Sequence, residues 1–280
     1  MDRIQTIIES RKLTGDIMAE ALKGVEGISE AGMRDRILAN ISQYPQFYPT
    51  GWYDPPAGGI GVLAAEAPYD RLKFETLRKP ESAPQESVPM TAESVSILYA
   101  STVDKATGMI GDLGCTVYRG TDEKVREHIS NTYKMIYDAA ALAEVGMSFR
   151  ELFAAAMQHF ASQWRVIGWM TTNHDPLKTN LGHTVPGSYG EPISFGNSFE
   201  EVRETIRSKR VYINELETFK IPESCAFTFE ARLMNPEMPE LPNVFVHLMV
   251  TFSNGEKKIL SNFDGIFKAA GMDYIKSNYG

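Results

Sequence analysis

The sequence has only two cysteines in 280 residues, Cys115 and Cys225. That is too few for a disulfide framework or a thiolate metal cage, so both read as small core residues. It has no block of Lys and Arg. With 28 basic against 36 acidic residues and a net charge of −8, it offers no counterion-releasing patch for a phosphate backbone, and nucleic acid is not an expected partner. No window approaches the ~20 apolar residues that span a bilayer, and the opening MDRIQTIIES is charged and polar where a secretory leader needs a continuous apolar stretch. A membrane is not an expected partner either, and the expected location is cytoplasmic. Histidine is scarce: of the five, none falls in the first hundred residues.

What remains is an ordinary globular composition. A 43% hydrophobic content beside 23% charged residues suffices for one large core or two small ones. From Ile4 to Val25 the apolar residues recur every three to four positions, which predicts a helix with one buried face. Ser29-Glu30 opens a second amphipathic helix, running to about Gln43 with Met33, Ile37, Leu38 and Ile41 on one side. Tyr44 to Gly61 is dense in Pro, Gly and aromatics, the composition of a long ordered loop of the kind that often borders a site. Its Phe47, Tyr48, Trp52 and Tyr53 either line an apolar pocket or plug the edge of the core. Leu72–Leu77 reads as a strand and the following KPESAPQESVP as a surface connection.

Val95–Thr102 and Gly108–Tyr118 read as strands, and Asp122–Glu144 and Phe149–Ala161 as helices. After a run Trp164–Met170, read as core strand, and a Gly/Pro-rich segment, a helix is expected from Phe199 to about Ser208. Strands follow at Cys225–Leu233, Val244–Phe252 and Lys257–Leu260, with Asn254-Gly255 as a hairpin signal between the last two. Such an order describes an α+β protein with helices packed on one face of a curved sheet.

Three short motifs carry chemistry. STVDKATGMIGDLGCTVYRG, from Ser101 to Gly120, places Gly108, Gly111 and Asp112 before a helix; Gly182-His183-Thr184-Val185-Pro186-Gly187 is followed by Gly190-Glu191-Pro192; and Phe227-Thr228-Phe229-Glu230 closes a strand. In this order and spacing they resemble the motifs of the methionine aminopeptidase, Xaa-Pro peptidase and creatinase family. Residues 1–280 are then expected to form one pita-bread domain, a curved antiparallel sheet with helices on its outer face, and no extra N-terminal domain.

The resemblance implies a centre of two divalent metals held by two Asp, one His and two Glu, where carboxylates bridge hard cations and a bridging water loses its proton near neutral pH. Asp112 matches the second Asp, His183 the His and Glu230 the first Glu. Ser101 stands at the first Asp, and Phe245 or Val246 at the final Glu, so the second dication loses its ligands. One ion on Asp112, His183 and Glu230 (Mn, Fe, Co or Zn) is still chemically allowed, with His247, on the same strand face as Phe245, as a further ligand. The family's proton-handling His is replaced by Gly190. Creatinase keeps the fold without metals and hydrolyses a C–N bond of a small amidino compound, so the metal-free expectation makes His183 the general acid or base, oriented by Glu230 or Asp112.

Each residue also has a plain structural reading. Asp112 could be a turn or cap residue, His183 and His247 satisfied histidines, and Glu191 a loop carboxylate. Glu230, in CAFTFEARL, is either solvent-facing or buried with a partner, and reading Phe227 and Phe229 on its face favours burial. His128, His159 and His174 are assigned no role.

The expectation is therefore an enzyme, metal-independent or with a single metal, that cleaves or rearranges a C–N bond of a small amino-acid-derived or amidino substrate. His183, Glu230 and Asp112 are its catalytic residues, and His247, Glu191, Tyr189, Trp52 and Tyr53 contact substrate. The alternatives are a silent pseudo-peptidase that binds a peptide or ligand, and a mononuclear aminopeptidase. The partner is a small molecule or short peptide, and a homodimer is allowed.

Overall fold

The computed structural model describes residues 2–161, 165–166, 175, 177 and 179–275. Helix α1 (Arg3–Ala21) starts where the Asp2 carboxylate accepts from the backbone N–H of Ile4 and Gln5, and α2 (Glu30–Ile41) where Ser29 caps Gly32. Helices α3 (Glu123–Ala140) and α4 (Phe149–Ala161) follow the predicted periodicity, and α5 (Phe199–Ser208) begins at a reciprocal capping box between Ser198 and Glu201. A short α6 (Asp264–Ala270), not foreseen from the sequence, is formed against α1.

Among the described residues seven strands make one antiparallel sheet: β1 (Ile60–Ala65), β2 (Val95–Ala100), β3 (Leu113–Tyr118), β4 (Arg165–Val166), β5 (Cys225–Met234), β6 (Val244–Ser253) and β7 (Glu256–Leu260). The order is β1-β2-β3-β6-β5-β4, with β7 also on β6. Because β5 takes one edge of β6, β3 and β7 share the other edge end to end. The β6–β7 hairpin turns through Asn254 and Gly255, both at positive φ, as the Asn-Gly signal requires. The main core, drawn from α1, α2, α3, α4, α6 and the sheet, lies beneath the helices, and a smaller cluster around Ile4, Ile7, Trp52, Val185 and Met249 lies apart from it. Cys115 and Cys225 are buried and free.

Arg11 holds the junction where β3 and β7 meet. Its guanidinium is fully buried and donates to the carbonyls of Leu260 (2.9 Å), His247 (2.6 Å), Ser261 (3.1 Å) and Asp112. The carbonyls that the broken ladder leaves without strand partners thus receive charged donors from a helix.

Several expectations are corrected. Leu72–Leu77 is no strand: Asp70–Leu72 forms a 3-10 turn, and the residues after it are irregular. The edge position is taken instead by β1, within and beyond the segment read as loop, because a short apolar run starting at Ile60 finds a full ladder on β2. The strand read from Gly108 starts only at Leu113, since Gly108 has φ +71° and Val103 and Ile110 close a local bridge. Thr228, Glu230 and Arg232 share one face of β5, and Phe227 and Phe229 point to the other, where Phe227 meets Phe149 and Phe252. The Trp164–Met170 run lies outside the described residues apart from Arg165 and Val166, and so does His174. Among the described residues no helix is long and apolar enough to cross a membrane.

Candidate active site

Sheet register builds the site. Gly61 pairs with Tyr99, Tyr99 with Gly114, Gly114 with His247 and His247 with Glu230. Directly opposed residues of antiparallel strands point to the same face, so Tyr99, His247 and Glu230 form one row across four strands, with Gly114 as a gap in it. The gap is needed: a Cβ on Gly114 would lie 2.4 Å from the Phe245 ring. Asp112 stands two residues before Gly114, fully buried, and accepts from Trp52 Nε1 (2.8 Å) and the Tyr99 hydroxyl (3.1 Å).

His183 reaches the row from a separate segment. Residues 181–185 lie between β5 and 211–213, with Thr228 N donating to His183 O (2.8 Å) and His183 N to Thr228 Oγ1 (2.9 Å). Gly182, at φ +118°, has no room for a side chain, since a Cβ would sit 2.2 Å from Thr228 O. The imidazole is clamped between Trp52 and Tyr212, edge to face, at 5.8 and 6.1 Å. Its Nδ1 lies 2.9 Å from Thr184 O; a carbonyl can only accept, so Nδ1 carries the proton and Nε2 keeps its lone pair. His183 is thus oriented by Thr184, while both Asp112 oxygens serve Trp52 and Tyr99.

Trp52, Tyr53, Tyr99, His183, Glu230 and Phe245 line a narrow cleft of about 60 Å³, with Phe74 and Leu77 from the irregular segment on its wall. Two further residues line it that sequence reasoning missed, Arg210 and Arg232. Arg210 stacks over Trp52 (4.7 Å) and Tyr212 (5.2 Å), and its Nε donates to Arg207 O at 3.4 Å. Neither arginine lies in a motif, which is why local pattern did not find them. A charged residue two positions from Glu230 on an alternating strand was the one available signal for Arg232.

Of the expected substrate contacts, Trp52 and Tyr53 line the cleft; of the other aromatics of their loop, Phe47 is core and Tyr48 stacks on Phe199 at 4.1 Å. His247 is buried in the row between Tyr99 and Phe245, its Nδ1 3.4 Å from Arg11. Tyr189 packs on Phe219 and Glu191 is exposed in a loop; neither lines the cleft. His128 is buried on α3 against Pro242 O.

Burial governs the electrostatics. It pushes the Glu230 carboxyl up to about 8, assisted by the nearby Asp112 carboxylate, with the Arg210 charge and the Thr228 hydroxyl acting in the opposite sense. Burial raises Asp112 to about 7 against the stabilising Trp52 and Tyr99 hydrogen bonds. His183 is held well below its usual range by burial and then by Arg210, and His247 by burial, Arg11 and His183. Around neutral pH the cleft therefore holds a neutral imidazole, a protonated Glu230 carboxyl and a fixed guanidinium charge.

The dinuclear centre implied by the resemblance does not fit these residues. The Ser101 hydroxyl donates to Gly59 O (3.0 Å) and accepts from Tyr53 N (3.1 Å), and a Cβ on Gly51 or Gly59 would fall 2.2 or 2.4 Å from it. No carboxylate could replace it without displacing that loop. The Phe245 ring fills the gap at Gly114, and among the described residues no group of three or more His, Cys, Asp and Glu stands together as a metal site.

No family model and no curated protein sequence matches the chain. Solved structures do. An X-Pro aminopeptidase from Thermotoga maritima matches with a TM-score of 0.61 at 12% identity, over 92% of this chain and 60% of its own. The prolidase of Pyrococcus horikoshii gives 0.63 at 13%, over 92% and 61%, and an Xaa-Pro dipeptidase from Bacillus anthracis 0.62 at 11%, over 92% and 60%. The chain thus has the pita-bread fold that Xaa-Pro peptidases share, at low sequence identity. It spans about 60% of the length of these peptidases.

Proposed function

We propose that the protein is an acid–base enzyme that hydrolyses a C–N bond of a small amino-acid-derived or amidino compound without a dinuclear metal centre. The observation that carries this reading is the meeting in one cleft of an imidazole whose Nδ1 is pinned on Thr184 O, a carboxyl kept protonated to about pH 8, and Arg210. His183 Nε2 takes a proton from water, and the resulting hydroxide attacks the carbon of the scissile bond. Negative charge develops on that carbon's heteroatom beside the Arg210 guanidinium. Collapse breaks the C–N bond, and Glu230 gives its proton to the departing nitrogen. The proton held on His183 returns Glu230 to its neutral state through solvent. Asp112 holds Trp52 and Tyr99, and thereby one of the two rings that flank His183.

The fold of Xaa-Pro peptidases supports a C–N hydrolase by analogy only. The lining of aromatic rings with a few convergent polar groups, Glu230, His183 and Arg210, is the composition of a small-molecule site. Turnover is measured against a panel of amidino compounds, N-acyl amino acids and dipeptides, with His183→Ala as the deciding variant: it abolishes turnover, and retained activity overturns the assignment. Elemental analysis and thermal shifts with Mn, Zn, Co and Fe(II) separate this reading from a mononuclear aminopeptidase on Asp112, His183 and Glu230. A second reading, a ligand-binding domain without turnover, is favoured by the engagement of both Asp112 oxygens with core side chains. It predicts saturable binding of panel members with no product.

A further inference from the structure

Arg232, two residues beyond Glu230 on the same strand face, is 1% exposed, and among the described residues its Nε and Nη2 have no hydrogen-bond acceptor. Its guanidinium lies against the Phe74 ring at 4.0 Å, and the residue lines the cleft shared with Glu230 and His183. A buried arginine in a finished protein core is normally paired, because desolvating its charge is costly without acceptors. Arg11 shows how this chain meets that cost elsewhere, with four backbone carbonyls. Arg232 receives none among the described residues.

The other charges of the cleft do not compensate it. Glu75 is paired with Lys79, Arg210 adds a second positive charge, and the Glu230 carboxyl stays protonated to about 8. The cleft therefore presents an excess of positive charge near neutral pH. Nε and Nη2 form one edge of the planar guanidinium, with two parallel N–H groups at the spacing of carboxylate oxygens. Phe74 stacks on the flat face of the guanidinium, over its Cζ, and so leaves the edge itself to a ligand; its segment, 73–77, belongs to no helix or strand.

We propose that Arg232 is the recognition site for a carboxylate of the ligand, bound bidentately on the Nε–Nη2 edge, which makes the ligand of this cleft an acidic small molecule. This deepens the reading of the cleft as a substrate site, but its test reads binding and needs no turnover. Glutarate, propionate, inorganic phosphate and the neutral isostere propionamide are titrated into the full-length protein by calorimetry and thermal shift. Propionate and glutarate are expected to bind saturably, and propionamide is expected not to. Arg232→Lys is expected to weaken the carboxylates at least tenfold, since an ammonium cannot bind bidentately, and Arg232→Met is expected to abolish binding while the fold, followed by circular dichroism, persists. His183→Ala is expected to keep the binding, so failure of the hydrolytic reading and failure of this one are distinguishable. Unchanged carboxylate affinity in Arg232→Met, equal binding of propionamide, or tenfold preference for phosphate overturns the assignment.

Discussion

Replacing Glu230 by Gln is expected to stabilise the protein in alkaline solution and to leave it unchanged in acid. Burial moves the Glu230 carboxyl from its ordinary 4.5 to about 8. The sign follows from proton binding: between these values the folded state keeps a proton that the unfolded chain has released, so stability falls as pH rises through the interval. The penalty is nearly absent at pH 4.5 and complete above pH 8. At about 1.4 kcal/mol per pKa unit the interval corresponds to roughly 5 kcal/mol. Glu230 retains partial solvent contact and shares its field with Asp112, which reduces the figure to about 2–3 kcal/mol. Glutamine reproduces the shape and neutral state of the protonated carboxyl and keeps an acceptor for Thr228 Oγ1, now 3.4 Å away. Urea unfolding at pH 4.5, 7 and 9 is the assay. The variant should match wild type to within about 0.5 kcal/mol at pH 4.5 and exceed it by about 2–3 kcal/mol at pH 9. A difference independent of pH, or a less stable variant at pH 9, refutes the electrostatic account of the cleft.

Turnover, once a substrate is in hand, should fall above about pH 8 as Glu230 loses the proton it donates. It should stay high well below pH 6.5, because His183 resists protonation; a lower limb at or above pH 6.5 contradicts the role given to His183. Arg11→Met leaves four carbonyls around the β3–β7 junction without their donor and should cost about 3–5 kcal/mol in urea unfolding, with a loss under 1 kcal/mol showing that the junction does not depend on it. Glu30 is buried, accepts from Ala64 N and Gln85 N and meets Arg71 at 2.6 Å through both oxygens. Glu30→Gln is therefore expected to lose about 2–4 kcal/mol, and an unchanged urea midpoint would remove that network from the account of α2.

The sequence by itself determined the elements whose signals are local. Periodicity and caps placed α2, α4 and α5, Asn254-Gly255 placed the last hairpin, and the ordered motifs carried the fold, because helix faces, N-caps and primed turns are properties of a few adjacent residues. Of the candidate site, Asp112, His183, Glu230, Trp52 and Tyr53 were legible from motif and composition, and the structure brings them to one cleft or its wall. Tertiary structure alone decided the rest. The row Tyr99, Gly114, His247, Glu230 exists through the register of four strands distant in sequence, and a shift of one residue would turn each side chain to the other face. The short β1, with its Gly61, becomes a strand because β2 pairs it, while the apparent strand at Leu72–Leu77 finds no partner and instead walls the cleft. Arg210 and Arg232 lie in no motif; burial in the cleft that Glu230 lines is what marks both, and for Arg232 also an Nε and Nη2 without an acceptor among the described residues. A local pattern specifies which face a residue takes in its own element, whereas the charge and shape of a cleft depend on which elements are brought face to face.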